Sequence, residues 1–164
     1  MATIRPYERE RKVDDDALWA LLEPVFRAGD TYAVERDVGR DAGLAYWRDP
    51  PHETFLCESG DALLGTYFLT PNQRGGGAHV CNCGFATAEA ARGRGVARLM
   101  LEDALVRAKA GGYAAMQFNF VVETNERAVA IWRAYGFDVV GRLPGAFRHP
   151  DAGEVDALVM YKRL

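Results

Sequence analysis

The stretch Arg92-Gly93-Arg94-Gly95-Val96-Ala97 separates a segment with strand character, Ala78 to Phe85, from a run of helix formers, Gly95 to Ala110, that stops at Gly111-Gly112. Strand, glycine turn and helix follow one another there. The start of a helix presents unpaired backbone N–H groups and the positive end of its dipole, and glycines let an anion come close to the main chain. The turn therefore reads as a phosphate cradle. Spacing separates the known cradle patterns. A P-loop requires lysine and a hydroxyl residue after GxxxxG, and neither stands at the required place. A dinucleotide fingerprint requires GxGxxG, whereas Gly93-Arg94-Gly95 runs on into Val96, Ala97 and Arg98, and no acidic residue ends the next strand to take a ribose. On this turn alone, a glycine corner that only starts a helix is the competing reading.

Toward the N-terminus, Thr3 to Glu8 has strand character, and Asp14 stands where it can cap a helix whose Leu18, Leu21, Leu22, Val25 and Phe26 recur at helical spacing. A loop, Gly29 to Gly39, and a short helical piece, Arg40 to Trp47, lead to Thr54–Glu58 and Ala62–Leu69, which flank Ser59-Gly60-Asp61 as hairpin strands would. Toward the C-terminus, Tyr113 to Val122 is rich in β-branched and aromatic residues, and Asn125 can cap a helix in which Ala128, Ile131, Trp132 and Tyr135 share a face until Gly136. Two more strands, Phe137–Arg142 and Val155–Arg163, are expected on either side of a loop holding Pro144, Gly145, Pro150 and Gly153. About seven strands and four helices in mixed order predict an α/β sandwich with a mostly antiparallel sheet.

Composition sets the outer bounds. At 164 residues the chain is the size of one domain, 1–164, large enough to close a core without disulfides or metal. No apolar run reaches the ~18 residues of a membrane span, and the charged start MATIRPYERERK does not read as an export signal, so a cytoplasmic protein is expected. A net charge of −3 argues against nucleic acid as the main partner, because phosphate neutralisation needs clustered surplus cations. Cys57, Cys81 and Cys83 are odd in number and read as reduced thiols. His79, Cys81 and Cys83 alternate along one strand, where the first and last stand about 13 Å apart, too far to share a metal. No metal is expected.

Two motifs resemble a known family. Arg92-x-x-Gly95-x-Ala97 after a strand is similar to the acetyl-CoA motif of the GNAT N-acetyltransferases, and Asn125-x-x-Ala128-x-x-Ile131-Trp132-x-x-x-Gly136-Phe137, beginning 28 residues after Ala97, is similar to the family's second motif. The element order from Thr3 to Arg163 resembles the GNAT fold, a mixed, mostly antiparallel sheet of six or seven strands with splayed central strands and about four helices. The resemblance implies that the main chain from Gly93 through Arg94, Gly95, Val96 and Ala97 to Arg98, with Arg92 ahead of it, grips the acetyl-CoA pyrophosphate. It implies that Phe85, Ala86 and Thr87 pair with the pantetheine like an extra strand, with one N–H polarising the thioester carbonyl, and that Asn125 and Trp132 contact the cofactor. Attack of a neutral amine puts negative charge on that carbonyl oxygen, which fixed N–H donors stabilise. A base must first strip the ammonium, since amines near pKa 10 are protonated at neutral pH.

One position departs from the family. Many members carry tyrosine four residues before the Gly-Phe pair, where it can protonate the leaving thiolate, but Trp132 stands there and indole is no general acid. The thiolate is therefore expected to leave with help from water or dipoles. Tyr135 is near in sequence but on the apolar face, where it reads as core. Asn82 and Asn119 interrupt strands, and buried amides are costly unless bonded. Each is either a core amide tied to backbone or a cleft amide that orients the acceptor. The run FNFVVETN, with Asn119 and Asn125 six residues apart, further resembles a GNAT branch that acetylates azetidine-2-carboxylate and related proline-like imino acids, in which such asparagines serve substrate binding and catalysis. With Asn82 added from the family's cleft position, Asn82, Asn119 and Asn125 are the catalytic candidates and Asn82 and Asn119 bind the acceptor; Thr31 and Tyr32, in a loop that resembles a substrate-side segment of the family, are either acceptor-binding residues or plain surface loop. Glu89 and Glu123 are the carboxylates nearest the expected cleft, each a base or a solvated surface group. Nothing places cysteine and histidine as a nucleophile pair, so direct transfer to a small-molecule amine, an amino or imino acid, is expected. Acetylation of protein or peptide N-termini and a CoA-binding sensor without turnover are the alternatives, and the resemblance favours a homodimer.

Overall fold

Two apolar clusters, one on each face of a single sheet, organise the chain. A computed structural model describes residues 1–164. In chain order the elements are β1 (Thr3–Pro6), α1 (Lys12–Ala28), α2 (Arg40–Arg48), β2 (Glu53–Ser59), β3 (Ala62–Pro71), β4 (Val80–Thr87), α3 (Val96–Ala110), β5 (Ala115–Val122), α4 (Glu126–Ala134), β6 (Asp138–His149) and β7 (Gly153–Arg163). The strands pair in the order β1-β2-β3-β4-β5-β7-β6, with every neighbour antiparallel except β4 and β5. The apolar stripe of α1, Leu18, Leu22 and Phe26, packs with Trp47 of α2 against Leu56, Phe68 and Ala86 on one face. On the other face α3 buries Met100, Leu101 and Ala104 against Tyr67, Cys81, Met116 and Leu158, and Trp132 of α4 joins them. The three cysteines are free and buried in this arrangement.

β4 and β5 pair only at Val80↔Ala115 and Cys81↔Met116 and then part. This is the splay the resemblance implies, and it opens a cleft between Asn82–Thr87 and Gln117–Val122. A side-chain bond marks the point of parting. The Gln117 carbonyl accepts from the Asn82 side chain, Nδ2 at 2.9 Å, and no main-chain pair joins the two strands beyond that point. Asn82 thus ends the ladder with its own amide.

Three sequence expectations are corrected. Asp14 caps nothing: α1 begins at Lys12, and the Asp14 carboxylate turns back to Arg5 of β1 at 2.7 and 2.8 Å and to the Glu8 N–H at 3.1 Å. A guanidinium outbids an N-cap bond for a buried carboxylate because the charges then neutralise. The expected loop after Arg142 is strand. β6 runs on to His149 with register shifts between Val139 and Gly141 and between Leu143 and Phe147, and Pro144 is accommodated because β6 is the sheet edge, where a missing N–H costs no ladder bond. Asn125 does hold the N-cap position of α4, yet its side chain makes no capping bond.

Candidate active site

Strand parity decides which main-chain groups face the cleft. Asn72 donates its N–H to the Val80 carbonyl at 2.8 Å and Ala88 donates to Leu64 at 2.9 Å, so the even-numbered residues of β4 bond to β3. The odd-numbered ones, Cys83, Phe85 and Thr87, turn their N–H and C=O groups to the opening. Phe85 and Thr87 therefore offer the free strand edge expected at this place, whereas Ala86, bonded toward β3, does not. The Phe85 carbonyl is already engaged. The Tyr32 hydroxyl donates to it at 2.7 Å, reaching over from the loop after α1, with its ring edge-on to Trp47 at 5.4 Å. Burial pushes the Tyr32 phenol well above its ordinary pKa, so it stays a neutral donor. Thr31 is half-buried beside it.

β4 leads through a short 3-10 turn, Glu89–Ala91, into the glycine turn. Gly93 and Gly95 have φ of +77° and +80°, and a Cβ on either would meet open space, so the glycines serve the backbone conformation and leave the approach clear. The Arg94 N–H bonds back to Ala91, and the first intrahelical bond of α3 runs from Leu99 to Gly95. The N–H groups of Gly93, Gly95, Val96, Ala97 and Arg98 have no main-chain partner, and no side chain caps the helix. These are donors without acceptors at a helix N-terminus, beside the exposed Arg92, Arg94 and Arg98. The donor set fits a diphosphate, and its continuity with the free edge of β4 fits a ligand with an extended amide-bearing arm.

The apolar wall of the cleft is aromatic. Trp132 is buried, its ring 5.1 Å from Phe85 and 5.0 Å from Phe118, so the tyrosine position of the family is filled by a packed indole. Tyr135 offers no substitute. Its hydroxyl donates to Glu102 of α3 at 2.5 Å, and that bond raises its pKa. Of the two carboxylates, Glu123 is ion-paired with Arg142 at 2.6 Å, which also holds Asp156 at 2.9 Å, while Glu89 is exposed.

The opposite wall is lined by amides. Asn82 is bonded to the Gln117 carbonyl, Gln117 Nε2 donates to Asn119 Oδ1 at 3.0 Å, and Asn119 Nδ2 donates to Asn72 Oδ1 at 2.6 Å. The structure brings Asn82 and Asn119 into one connected group and leaves Asn125 outside it, at the head of α4. Gln117 and Asn72 went unnoticed in the sequence. Gln117 was findable, two residues before Asn119 and so on the same strand face; Asn72 lies 47 residues away and carries no local signal.

Comparison with known proteins places this geometry. Residues 16–137 match the model of the acetyltransferase (GNAT) family. The chain belongs to the GNAT family. A GCN5-related N-acetyltransferase from Kribbella flavida is 36% identical, with a TM-score of 0.92 over 99% of this chain and 98% of that one. The N-acetyltransferase aca1 of Schizosaccharomyces pombe is 31% identical over 99 residues, 60% of this chain, and the match spans about half, 47%, of that longer relative. A GNAT superfamily phosphinothricin acetyltransferase from Sinorhizobium meliloti, solved with acetyl-CoA, shares the fold at a TM-score of 0.84 and 15% identity, over 99% of this chain and 88% of that one.

Proposed function

We propose that this GNAT chain transfers the acetyl group of acetyl-CoA directly to the nitrogen of a small amine, an amino or imino acid such as azetidine-2-carboxylate. The observation that carries the proposal is two sets of unpaired N–H donors in one stretch of chain, on the free edge of β4 and at the head of α3. The N–H groups of Gly93, Gly95, Val96, Ala97 and Arg98 hold the diphosphate, and those of Phe85 and Thr87 hold the pantetheine arm and the thioester oxygen. Acetyl-CoA supplies the activated acyl group. Donors fixed at the position of the developing negative charge cost no reorganisation when it appears, which is worth several kcal/mol. The acceptor enters from the side of Tyr32 and the amides, with Trp132 and Phe118 closing the far wall against water. Trp132 fills the family's tyrosine position, so the thiolate leaves stabilised by water and main-chain dipoles, and with Glu123 ion-paired to Arg142 the ammonium proton leaves through water. The family match, with N-acetyltransferases among the relatives, supports the acyl chemistry. The paired asparagines support the acceptor class.

A thiol-release assay with acetyl-CoA against azetidine-2-carboxylate, proline, common amino acids, polyamines and short peptides tests this. We expect turnover of the imino acids, a fall of tenfold or more in Asn119→Ala, and little change in the pH–rate profile of Trp132→Tyr. Turnover confined to peptides or polyamines removes the imino-acid assignment and keeps the acetyltransferase. Silence across the panel with CoA still bound favours a sensor.

The same reading includes a homodimer. β6 is a twelve-residue edge strand on which Val140 and Leu143 are 60% and 39% exposed, a surface suited to a second copy. Gel filtration should give about twice the 18.1 kDa of one chain, and elution at 18.1 kDa excludes the dimer.

A further inference from the structure

Building on the acetyl-transfer reading, we propose that Asn72, just past the end of β3, is a positioning residue that sets the polarity of a carboxamide ladder. With the Asn119 amide so oriented, that ladder offers neutral N–H donors to the carboxylate or carbonyl of the amine substrate. Gln117 and Asn119 stand two residues apart on β5, and their amides are joined by Nε2–H to Oδ1 at 3.0 Å. Asn119 in turn donates from Nδ2 to Asn72 Oδ1 at 2.6 Å. Donation therefore runs one way, from Gln117 through Asn119 to Asn72. Asn72 is a firm terminus because its own N–H is bonded to the Val80 carbonyl at 2.8 Å.

The polarity has a chemical consequence. A primary amide carries two N–H bonds. In the ladder Gln117 and Asn119 each spend one, Asn82 spends one on the Gln117 carbonyl, and Asn72 spends none. The remaining N–H bonds are left for an acceptor such as a substrate carboxylate, beside the Gln117 and Asn82 side-chain oxygens, which no protein donor engages. Without Asn72 the Asn119 amide keeps only the bond from Gln117, an amide that can itself turn over, and the pair is free to exchange oxygen for NH2 at the cleft. Asn72 acts through Asn119 and needs only its oxygen to do so.

Two variants separate that oxygen from the rest of the side chain. Asn72→Asp keeps an acceptor at the Oδ1 position; Asn72→Leu keeps the approximate size and removes it. We expect the Asn119 side-chain NH2 resonances, followed by 15N–1H NMR of the ligand-free protein, to hold in Asn72→Asp and to move in Asn72→Leu. In steady-state kinetics Asn72→Leu should raise KM for the amine about tenfold, with kcat and the acetyl-CoA KM within twofold, the size expected for one positioned hydrogen bond. Asn119 resonances unmoved in Asn72→Leu, or amine and acetyl-CoA KM rising together, overturn the proposal. If the wild-type protein releases no thiol with any amine while the resonances move as expected, the positioning role stands and the acetyl-transfer reading falls.

Discussion

Gly95→Asp should weaken CoA binding by about 100-fold or more while leaving the protein folded. Gly95 sits at φ +80° with open space where a side chain would go, so an aspartate meets no protein atom there. Two energies govern the fold, and they oppose one another. The left-handed conformation costs an L-residue roughly 1–2 kcal/mol, least for Asp and Asn, and a carboxylate at a helix N-terminus returns about 0.3–1 kcal/mol. The net is a loss near 1 kcal/mol, a few degrees of Tm at this chain length. For the ligand both effects have one sign. The carboxylate occupies the N–H groups of Val96 to Arg98 and places negative charge where a diphosphate must lie. Losing two charge-assisted hydrogen bonds at about 1.5 kcal/mol or more each gives the 100-fold figure. Gly112→Asp is the control. Gly112 has φ +85° and equally open surroundings at the far end of α3, so it carries the same backbone strain without touching the cradle. Titration calorimetry with CoA on both variants checks the assignment; equal affinities in the two would remove the diphosphate from this turn.

The strand–turn–helix at Arg92 to Arg98 was legible in the sequence because it is local, with the strand before it and the helix after it in one stretch of chain. The splay between β4 and β5 entered only through the family resemblance, since the contact that marks it, Asn82 to the Gln117 carbonyl, joins residues 35 apart. The strand beyond Arg142 was hidden for a different reason. Proline and glycine break a central ladder, and the sequence does not say that β6 is an edge where the same residues cost little. Asp14 shows the limit most plainly. An acidic residue ahead of an apolar helical stripe is a sound cap signal, but its partner, Arg5, is chosen by how β1 crosses the head of α1. The amide ladder fails to show for the same cause: side-chain polarity is local, while pairing is set by register.

Arg5→Met should be the most damaging single change to stability among these contacts, lowering Tm by roughly 10 °C. Arg5 donates from Nη1 and Nη2 to both oxygens of Asp14, at 2.8 and 2.7 Å, and from Nε and Nη2 to Glu58, at 2.9 and 2.8 Å. Asp14 is 2% exposed, so removing the guanidinium leaves a buried carboxylate with the Glu8 N–H and, at 3.8 Å, Arg11. Breaking such a pair by deleting one partner costs about 3–5 kcal/mol, and each kcal/mol moves Tm by roughly 2–4 °C at this size. The pH dependence identifies the cause. The Arg5 hydrogen bonds hold the folded-state pKa of Asp14 below its ordinary value, against the upward push of burial. Its stabilising contribution is therefore complete above the unfolded pKa, about 3.9, and is lost as pH falls through the lower folded value. In Arg5→Met only burial and the Glu8 N–H remain beside the more distant Arg11, the folded pKa rises, and the variant recovers relative to wild type as acid protonates Asp14. The difference in unfolding free energy, measured by urea titration between pH 7 and pH 3, should shrink toward acid. Arg5→Met combined with Asp14→Leu should regain most of the loss, because exchanging both partners for apolar groups removes the stranded charge. A pH-independent difference, or a double variant no better than the single, would mean that the Arg5 stem packs against α1 and that its charge contributes nothing.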